Sequence, residues 1–479
     1  MRKLITLWLV CVLVFSCILS ASSAESAAEK DLVSGSYAYT LLDDGTAAIL
    51  RYEGEESDLT VASELDGIPV TAIGANAFHD DEALASVVIP EGIVSLGDYA
   101  FQRCSMLTDI SLPASLTEIG LNPFSGCSSL GGIEIAEGNA SLILADGVLF
   151  SREDRRLVYY PILRPKGPYS VPVNTRIIGA SAFYECDNVT EIVFPDSITA
   201  IGRRAFYQCG SLKTVTGLEN TSISTVGADA FSGCRHLTSI AFPENVTSIA
   251  ERAFQDCLSL EVLSLPETIT AIGEMAFRNC SSLHSVNLPE GISTIGKNTF
   301  AGCTVLEQLT LPDSLTYIGG GAFQECGSLR SLTLPEDLDY IGSNAFDGCE
   351  ALSEINIPEA CGYIGSEAFK RCKSLTAISL PSEIYSIENS TFYGCISLQE
   401  VELPEDLEEI GVMAFFACNS LKSIVLPDPV ETIGDSAFAY CEALESIELS
   451  EDLESVGPAT FDNCPNLKNL PDLSDLIDA

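Results

Sequence analysis

The sequence predicts a repeat solenoid: a right-handed coil of about sixteen units, with short parallel strands and irregular or 3₁₀ turns. Two observations predict it. The phrase LEVLSLPETITAIGEMAFRNC, Leu260–Cys280, recurs 23 residues later as LHSVNLPEGISTIGKNTFAGC. Its phenylalanine occurs sixteen times, mostly at that interval: Phe78, Phe101, Phe124, Phe183, Phe206, Phe231, Phe254, Phe277, Phe300, Phe323, Phe346, Phe369, Phe392, Phe415, Phe438 and Phe461. One unit buries too little apolar surface to fold alone, so the units must stack.

The N-terminus is typical of an export signal. Arg2 and Lys3 precede an apolar run, and small residues end at Ala24, which predicts a signal peptide over 1–24 and a flexible leader over 25–34. Cys17 lies in a stretch that loosely resembles a lipoprotein processing box, which leaves lipid attachment as an alternative. No second long apolar run follows, so we expect no transmembrane helix.

Residues 35–70 differ from the repeat and predict an N-terminal cap. Apolar and polar residues alternate there about Asp44-Gly45, a pattern that favours a β-hairpin. An uncapped solenoid would expose a strand edge and an apolar end, both of which promote aggregation. At the other end, leucines in the tail over 468–479 predict a modest C-terminal cap.

Each unit of the repeat array, over 71–467, divides into three pieces. Leu-x-x-Ile-x-Leu predicts a short strand that ends at Pro, which has no amide to continue a ladder. A second extended stretch, Leu/Ile-x-x-Ile, is closed by Gly. The remaining Ala-Phe-x-x-Cys-x-x-Leu predicts about two turns of irregular or 3₁₀-like helix. Because this is one stacked array, we expect a single elongated domain.

This pattern resembles the bacterial BspA-like, or Treponema pallidum type, leucine-rich repeat, over about Ile73 to Leu467. The resemblance implies a leucine-rich-repeat coil. It also implies a secreted or surface-attached binding protein, which in some relatives is an adhesin for host or bacterial proteins.

One insertion interrupts the array. Phe124 and Phe183 are 59 residues apart, which is one period plus 36. The inserted residues, about 136–172, carry Asp146-Gly147 between apolar runs and predict a β-hairpin that protrudes from one edge. They also carry Arg152, Arg155 and Arg156. In so acidic a chain these cations are either candidate binding residues or partners of neighbouring carboxylates.

Composition excludes some partners. The chain has 68 Asp and Glu against 24 Lys and Arg, a formal net charge of −44. Such a surface repels phosphate backbones and anionic membranes, so nucleic acid is not expected as a partner.

Fifteen cysteines follow the repeat Phe by three residues, from Cys104 to Cys464. One Cys per unit at one phase predicts a ladder of reduced, buried thiols, because buried Cys behaves as a small apolar residue. Adjacent rungs lie within disulfide range, but parallel side chains oppose the required torsion. No Cys-x-x-Cys occurs and no His accompanies the ladder, which disfavours metal binding.

No catalytic motif or cofactor site is recognisable, so we expect neither an enzyme nor a cofactor. An acidic column follows the repeat Pro and is a weak candidate for divalent-cation binding: Glu244, Glu267, Glu290, Asp313, Glu336 and Glu359. The alternative is a solvated turn edge. Three tyrosines, Tyr317, Tyr340 and Tyr363, share one phase, with Tyr385 one place out of register. They are either a binding surface or a ladder that strengthens the sheet.

The sequence therefore favours a secreted or cell-surface protein that binds another protein, in adhesion or host–microbe interaction. The two candidate contact regions are the tyrosines and the inserted hairpin. A structural spacer of the cell envelope is the alternative, and a β-solenoid polysaccharide lyase or hydrolase is a third. The sequence leaves the partner and the oligomeric state open.

Overall fold

The computed structural model describes residues 31–468, 470–473 and 475–476, which form a β-solenoid of about 18 turns of about 23 residues. The predicted fold class, a leucine-rich-repeat solenoid, is confirmed. The predicted signal peptide, Cys17 and the leader before residue 31 lie outside the described residues. In the described part of the chain, no helix has the length and apolarity needed to cross a membrane.

The strands are short throughout. They are β1 (Leu32–Ser34), β2 (Tyr37–Leu41), β3 (Ala47–Tyr52), β4 (Asp58–Thr60), β5 (Glu64–Leu65), β6 (Ile68–Ile73), β7 (Ser86–Val88), β8 (Ser95–Leu96), β9 (Asp109–Leu112), β10 (Glu118–Ile119), β11 (Gly132–Ile135), β12 (Leu142–Ala145), β13 (Val148–Ser151), β14 (Arg156–Tyr159), β15 (Gly167–Ser170), β16 (Ile177–Ile178), β17 (Val189–Val193), β18 (Ala200–Ile201), β19 (Thr214–Thr216), β20 (Thr225–Val226), β21 (Ser239–Ala241), β22 (Ser248–Ile249), β23 (Val262–Ser264), β24 (Ala271–Ile272), β25 (Ser285–Asn287), β26 (Thr294–Ile295), β27 (Gln308–Thr310), β28 (Tyr317–Ile318), β29 (Ser331–Thr333), β30 (Tyr340–Ile341), β31 (Glu354–Asn356), β32 (Tyr363–Ile364), β33 (Ala377–Ser379), β34 (Ser386–Ile387), β35 (Glu400–Glu402), β36 (Glu409–Ile410), β37 (Ser423–Val425), β38 (Thr432–Ile433), β39 (Ser446–Glu448) and β40 (Ser455–Val456). A 3₁₀ helix spans Leu218–Asn220.

A regular coil has three faces. In the coil that begins at β23, this three-residue strand lies on what we call the long-strand face, and β24 lies on the short-strand face. Where neighbouring coils pair, a strand pairs in parallel with its equivalent in the next coil, as Ser248 does with Ala271, 23 residues away. The third face, the turn face, carries the repeat Phe. The two predicted strands of the unit are therefore observed, whereas the third piece is a series of turns and not a 3₁₀ helix.

The turn face is hydrogen-bonded between coils although it contains no strand. The residues two before and two after the repeat Phe have left-handed backbones, such as Arg252 and Asp256 with φ of 55° and 59°. This geometry directs the amide of Phe254 to the carbonyl of Ala276 in the next coil, at 2.8 Å. A left-handed residue costs roughly 1–2 kcal/mol. The turn face therefore depends on stacking to hold its conformation.

The repeat phenylalanines form one stack inside the solenoid. From Phe206 to Phe461 successive rings lie 5.0–5.8 Å apart and nearly parallel. Most of these side chains are completely buried. The stack runs the length of the core, so each ring supports the two beside it.

The count of sixteen repeat phenylalanines missed two coils, because tyrosine replaces phenylalanine in them. Tyr52 packs 5.1 Å from Phe78, and its amide donates to the next coil as a repeat Phe does. Tyr160 lies 4.7 Å from Phe183 and its amide bonds in the same way. Neither coil has the complete 23-residue phrase, so the sequence comparison did not identify these two coils as repeats.

The cysteine ladder consists of free thiols, as predicted, and all of them except the partly buried Cys464 are buried. Each thiol donates to the carbonyl oxygen of the repeat Phe one coil back, as Cys280 does to Phe254 at 3.3 Å. For Cys186, the first ladder cysteine after the insertion, the acceptor is the Tyr160 carbonyl, at 3.6 Å. Burial raises the pKa of Cys395 to about 12. Since the thiolate is the reactive form, the buried thiols of the ladder are unreactive in the folded chain.

Thiol titration provides the first prediction. With a disulfide reagent that releases a coloured product when it reacts with a thiol, at pH 8, we expect almost no reaction of the folded chain within minutes. The reason is that nearly all the thiols are buried. Cys464, which is only partly buried, should react first. All the thiols should react after unfolding in guanidinium. A thiol count near zero in the unfolded chain would instead mean that the ladder is oxidised.

The insertion does not protrude as predicted. The hairpin of β12 and β13 exists, but β14 and β15 continue the two strand faces and pair in parallel with β16 and β17. The physical reason is apolar burial: Leu157, Tyr160 and Val171 are all buried in the stack, and a protruding hairpin would expose them. The insertion also divides the core into two apolar clusters, one ending near Tyr159 and one beginning near Val148.

Both ends of the stack are covered. β1, β2 and β3 form an antiparallel sheet about the turn at Asp44, and β3 pairs in parallel with β6. At the other end Leu473 and Leu476 pack against the core, and the Val456 amide donates to the Leu476 carbonyl at 2.8 Å.

Candidate functional site

Three of the four predicted tyrosines form one stack, which we call the tyrosine ladder. The rings of Tyr317 and Tyr340 are 4.6 Å apart, and those of Tyr340 and Tyr363 are 4.9 Å apart. The three residues are directly paired in neighbouring short strands. Since strand side chains alternate between faces, the following Ile points inward and each Tyr points outward. Tyr317 and Tyr363 are 39% and 36% exposed.

Tyr385 does not join the ladder. It stands just before β34 rather than inside it, is 49% exposed and donates its hydroxyl to Glu383 at 3.3 Å. The one-residue shift seen in the sequence thus removes it from the stack. The nearby Glu383 carboxylate raises the pKa of Tyr385.

The tyrosine ladder presents ring edges and hydroxyl groups rather than ring faces, because the faces are stacked on one another. Burial raises the pKa of Tyr340, as does its neighbour Tyr317. Burial likewise raises the pKa of Tyr363, with a further contribution from Glu388. The hydroxyls of Tyr340 and Tyr363 are therefore protonated at neutral pH and can both donate and accept hydrogen bonds.

The surface around the tyrosine ladder is anionic. From β19 to β40, neither the strands nor the turns that connect a long strand to the following short strand contain any Lys or Arg. The cations of this region lie on the turn face or just before a long strand, as Arg278 and Arg330 do. A partner that lies on the strand faces therefore meets carboxylates and no fixed cation.

The acidic column has a structural role at two positions, Glu290 and Glu359. The carboxylate of Glu290 accepts a hydrogen bond from the amide of Asp313 in the next coil at 3.2 Å, and Glu359 does the same for Ser382 at 3.4 Å. These bonds satisfy turn amides that would otherwise face solvent. No cluster of three or more His, Cys, Asp or Glu residues among those described is arranged to hold a metal ion. Divalent-cation binding by the column stays a prediction.

The three basic residues of the insertion separate into different roles. Arg156 is half-buried and structural: one Nη donates to the Ile119 carbonyl at 2.7 Å, and its Nε lies 3.3 Å from Asp154. Arg155 is exposed in a left-handed turn. Arg152 is exposed and lines a groove of about 520 Å³ between β11 and β12. The three side chains therefore do not act as one basic patch.

Two further aromatic stacks lie on the turn face and were not predicted. Tyr184 and Tyr207 are 5.2 Å apart, and Tyr393 and Phe416 are 4.8 Å apart. Each follows a repeat Phe directly, so the same 23-residue comparison would have revealed them. Arg204 lies over the Tyr207 ring at 5.5 Å. The groove between β11 and β12 had no such signal, because it depends on how the insertion packs.

Comparison with solved structures gives several repeat proteins similar to this chain. A leucine-rich repeat protein from Bacteroides ovatus is 27% identical, with 92% of this chain and 94% of that chain covered and a TM-score of 0.40. A leucine rich cell surface protein from Faecalibacterium prausnitzii is 25% identical, with 88% and 95% covered and a TM-score of 0.40. A leucine-rich repeat protein from Eubacterium ventriosum is 21% identical, with 71% and 93% covered and a TM-score of 0.37.

A search of curated proteins gave no significant match. The sequence family described as "BspA type Leucine rich repeat region (6 copies)" matches residues 68–144, 169–284, 270–395 and 362–477. These ranges cover well over half of the chain and contain all sixteen repeat phenylalanines. The chain belongs to the BspA type leucine-rich-repeat family.

Proposed function

We propose that this chain is an exported, non-enzymatic repeat protein that binds another protein on its short-strand face, at the tyrosine ladder. The ladder is the observation that carries the proposal. Stacked tyrosines offer a large, already ordered contact surface, so a partner loses little side-chain entropy there. The surrounding carboxylates favour a partner with a basic surface, which they also attract over distance.

Export to the cell exterior or cell surface is supported by the signal-like sequence over 1–24, with lipid attachment at Cys17 as the alternative. Adhesion or host–microbe interaction is the setting that the family resemblance favours. The inserted segment is the second candidate contact region, through Arg152.

Replacing Tyr317, Tyr340 and Tyr363 together by serine tests this proposal. A partner is first captured with the purified mature chain from extracellular material, and its affinity is then measured for each variant. We expect the triple variant to bind about a hundredfold more weakly, because buried tyrosine contacts commonly dominate interfaces. Thermal stability should change little, since each cross-strand pair contributes only about 0.2–1 kcal/mol.

A double variant, Tyr184→Ser and Tyr207→Ser, is the matched control, because it removes a tyrosine stack from the turn face. It should keep full affinity. If the ladder variant binds as tightly as the unmodified chain, the ladder is a structural feature and the proposal is rejected. If the unmodified chain captures no specific partner, the second candidate function, a structural spacer of the cell envelope, is favoured.

A further inference from the structure

β11 has a free edge on the long-strand face. It pairs in parallel with β9, and the described residues supply no strand on its other side. The amides of Gly132 and Ala136 donate back to the β9 coil, both at 2.9 Å. Because successive residues of a ladder point to opposite sides, the N–H and C=O groups of Ile133 and Ile135 point away from β9. These are unused main-chain donors and acceptors in the middle of the chain.

The free edge results from the insertion. After β11 the chain enters β12 and β13, and β15, the equivalent strand of the next coil, pairs only with β17. The amide of Val171 donates to Val193 across that pair at 3.0 Å, so Pro168 of β15 lies on the opposite side. Pro has no amide to offer, which is typical of a protected edge. β11 has no such protection.

The groove beside this edge has both apolar and polar walls. Its volume is about 520 Å³; Ile133, Ile135, Ile143 and Leu144 contribute apolar lining, and Glu134, Asn139 and Arg152 contribute polar lining. Ile135 and Ile143 are partly buried against the core, and Leu144 is 38% exposed. Unpaired strand groups beside apolar pockets are the arrangement that binds extended peptides by strand addition.

Arg152 adds a charged group to the groove. Its Nε donates to the Leu142 carbonyl at 3.1 Å, which holds the side chain beside the start of β12. Among the described residues Arg152 forms no ion pair with a carboxylate within 4.0 Å, although Glu134 lines the same groove. The remaining N–H groups suit a carboxylate, the acceptor with which Arg forms its strongest hydrogen bonds.

We propose that this groove binds an extended peptide segment of another protein. The segment adds as a strand to β11 through Ile133 and Ile135, packs an apolar side chain against Ile143, and presents a carboxylate to Arg152. This is a second binding site, separate from the tyrosine ladder, and its test does not depend on the function proposed above.

The probe is the synthetic peptide LHSVNLPE, blocked at both ends, which copies residues 283–290. This segment contains β25, which pairs on both sides in parallel register within the chain, so it has the geometry that the groove needs. It also carries one glutamate. A fluorescent form titrated with the full chain should bind saturably. Its glutamine analogue should bind about tenfold more weakly.

N-methylation tests the strand pairing itself. In the chain, Leu288 donates to the following coil, so Val286 points the same way and Ser285 and Asn287 point back. Methylating the amides at the Ser285 and Asn287 positions of the peptide should therefore abolish binding to β11. Methylation at the Val286 position should preserve it. Equal effects of the two modifications would overturn the proposal.

Protein variants locate the site. Arg152→Ala should weaken peptide binding about tenfold, whereas Arg155→Asn, which removes an equal charge from the adjacent left-handed turn, should have no effect. The triple tyrosine variant should bind the peptide normally. Failure of the peptide to saturate at millimolar concentration, or its loss from the tyrosine variant, rejects the site. If the chain dimerises in sedimentation and the peptide dissociates the dimer, the occupant is a second copy, and a foreign partner is rejected.

Discussion

Replacing Phe277 by alanine should lower the free energy of unfolding by about 3–5 kcal/mol, the usual cost of removing a fully buried aromatic side chain. Phe277 is completely buried, with rings at 5.5 Å and 5.6 Å on its two sides. The alanine variant loses both stacking contacts and leaves a cavity that the close-spaced coils cannot easily close. Denaturant titration followed by circular dichroism measures the loss.

Phe461→Ala is the matched control, because this phenylalanine is only partly buried and has a ring on one side, at 5.7 Å. We expect a clearly smaller loss than at Phe277. Equal losses at the two positions would mean that ring stacking along the core contributes little to stability.

Replacing Arg371 by alanine should have the second largest effect, a loss of about 1.5–3 kcal/mol in the free energy of unfolding, the usual contribution of hydrogen bonds to a charged group. Asp347 is 4% exposed; Arg371 donates to its carboxylate through Nε at 3.0 Å, and Nη2 lies 2.9 Å from the same oxygen. The same guanidinium also donates to Glu325 at 2.6 Å, so it joins three successive coils. Without Arg371, the one side-chain donor to the buried carboxylate that remains among the described residues is the Gln324 amide, at 3.0 Å. An uncompensated buried charge is costly because it has lost its hydration.

Two controls isolate the cause of that loss. Lys373→Ala breaks an exposed pair with Glu350 and should cost less than about 1 kcal/mol. Adding Asp347→Asn to Arg371→Ala should recover much of the stability, since the amide has nearly the same shape and no charge. If the double variant is no more stable than Arg371→Ala alone, the loss comes from side-chain packing.

The regular coils could be predicted because each residue type of the 23-residue repeat has one structural role. Pro ends the long strand, Gly ends the short strand, and Phe and Cys fill the core, so spacing alone gives strand positions and burial. The tyrosine ladder followed from the same period. The length of the ladder could not be predicted. The one-residue shift at Tyr385 looks small in sequence but places this residue outside the strand.

The insertion could not be predicted in the same way. Asp146-Gly147 correctly indicated a hairpin, but nothing local shows that Leu157 and Tyr160 enter the core. That outcome depends on apolar burial between the coils before and after, which spacing does not encode. The free edge of β11 is a consequence of that packing.

In an oxidising medium, the cysteine ladder determines whether the chain can refold after it has unfolded. While the chain is folded, all the described thiols except that of Cys464 are buried and so shielded from oxidants and from attack by one another. Once it unfolds, sixteen described cysteines become reactive together and can pair in many wrong ways. Refolding is then blocked by covalent chemistry, so the working lifetime of the protein is set by how rarely it unfolds rather than by its equilibrium stability.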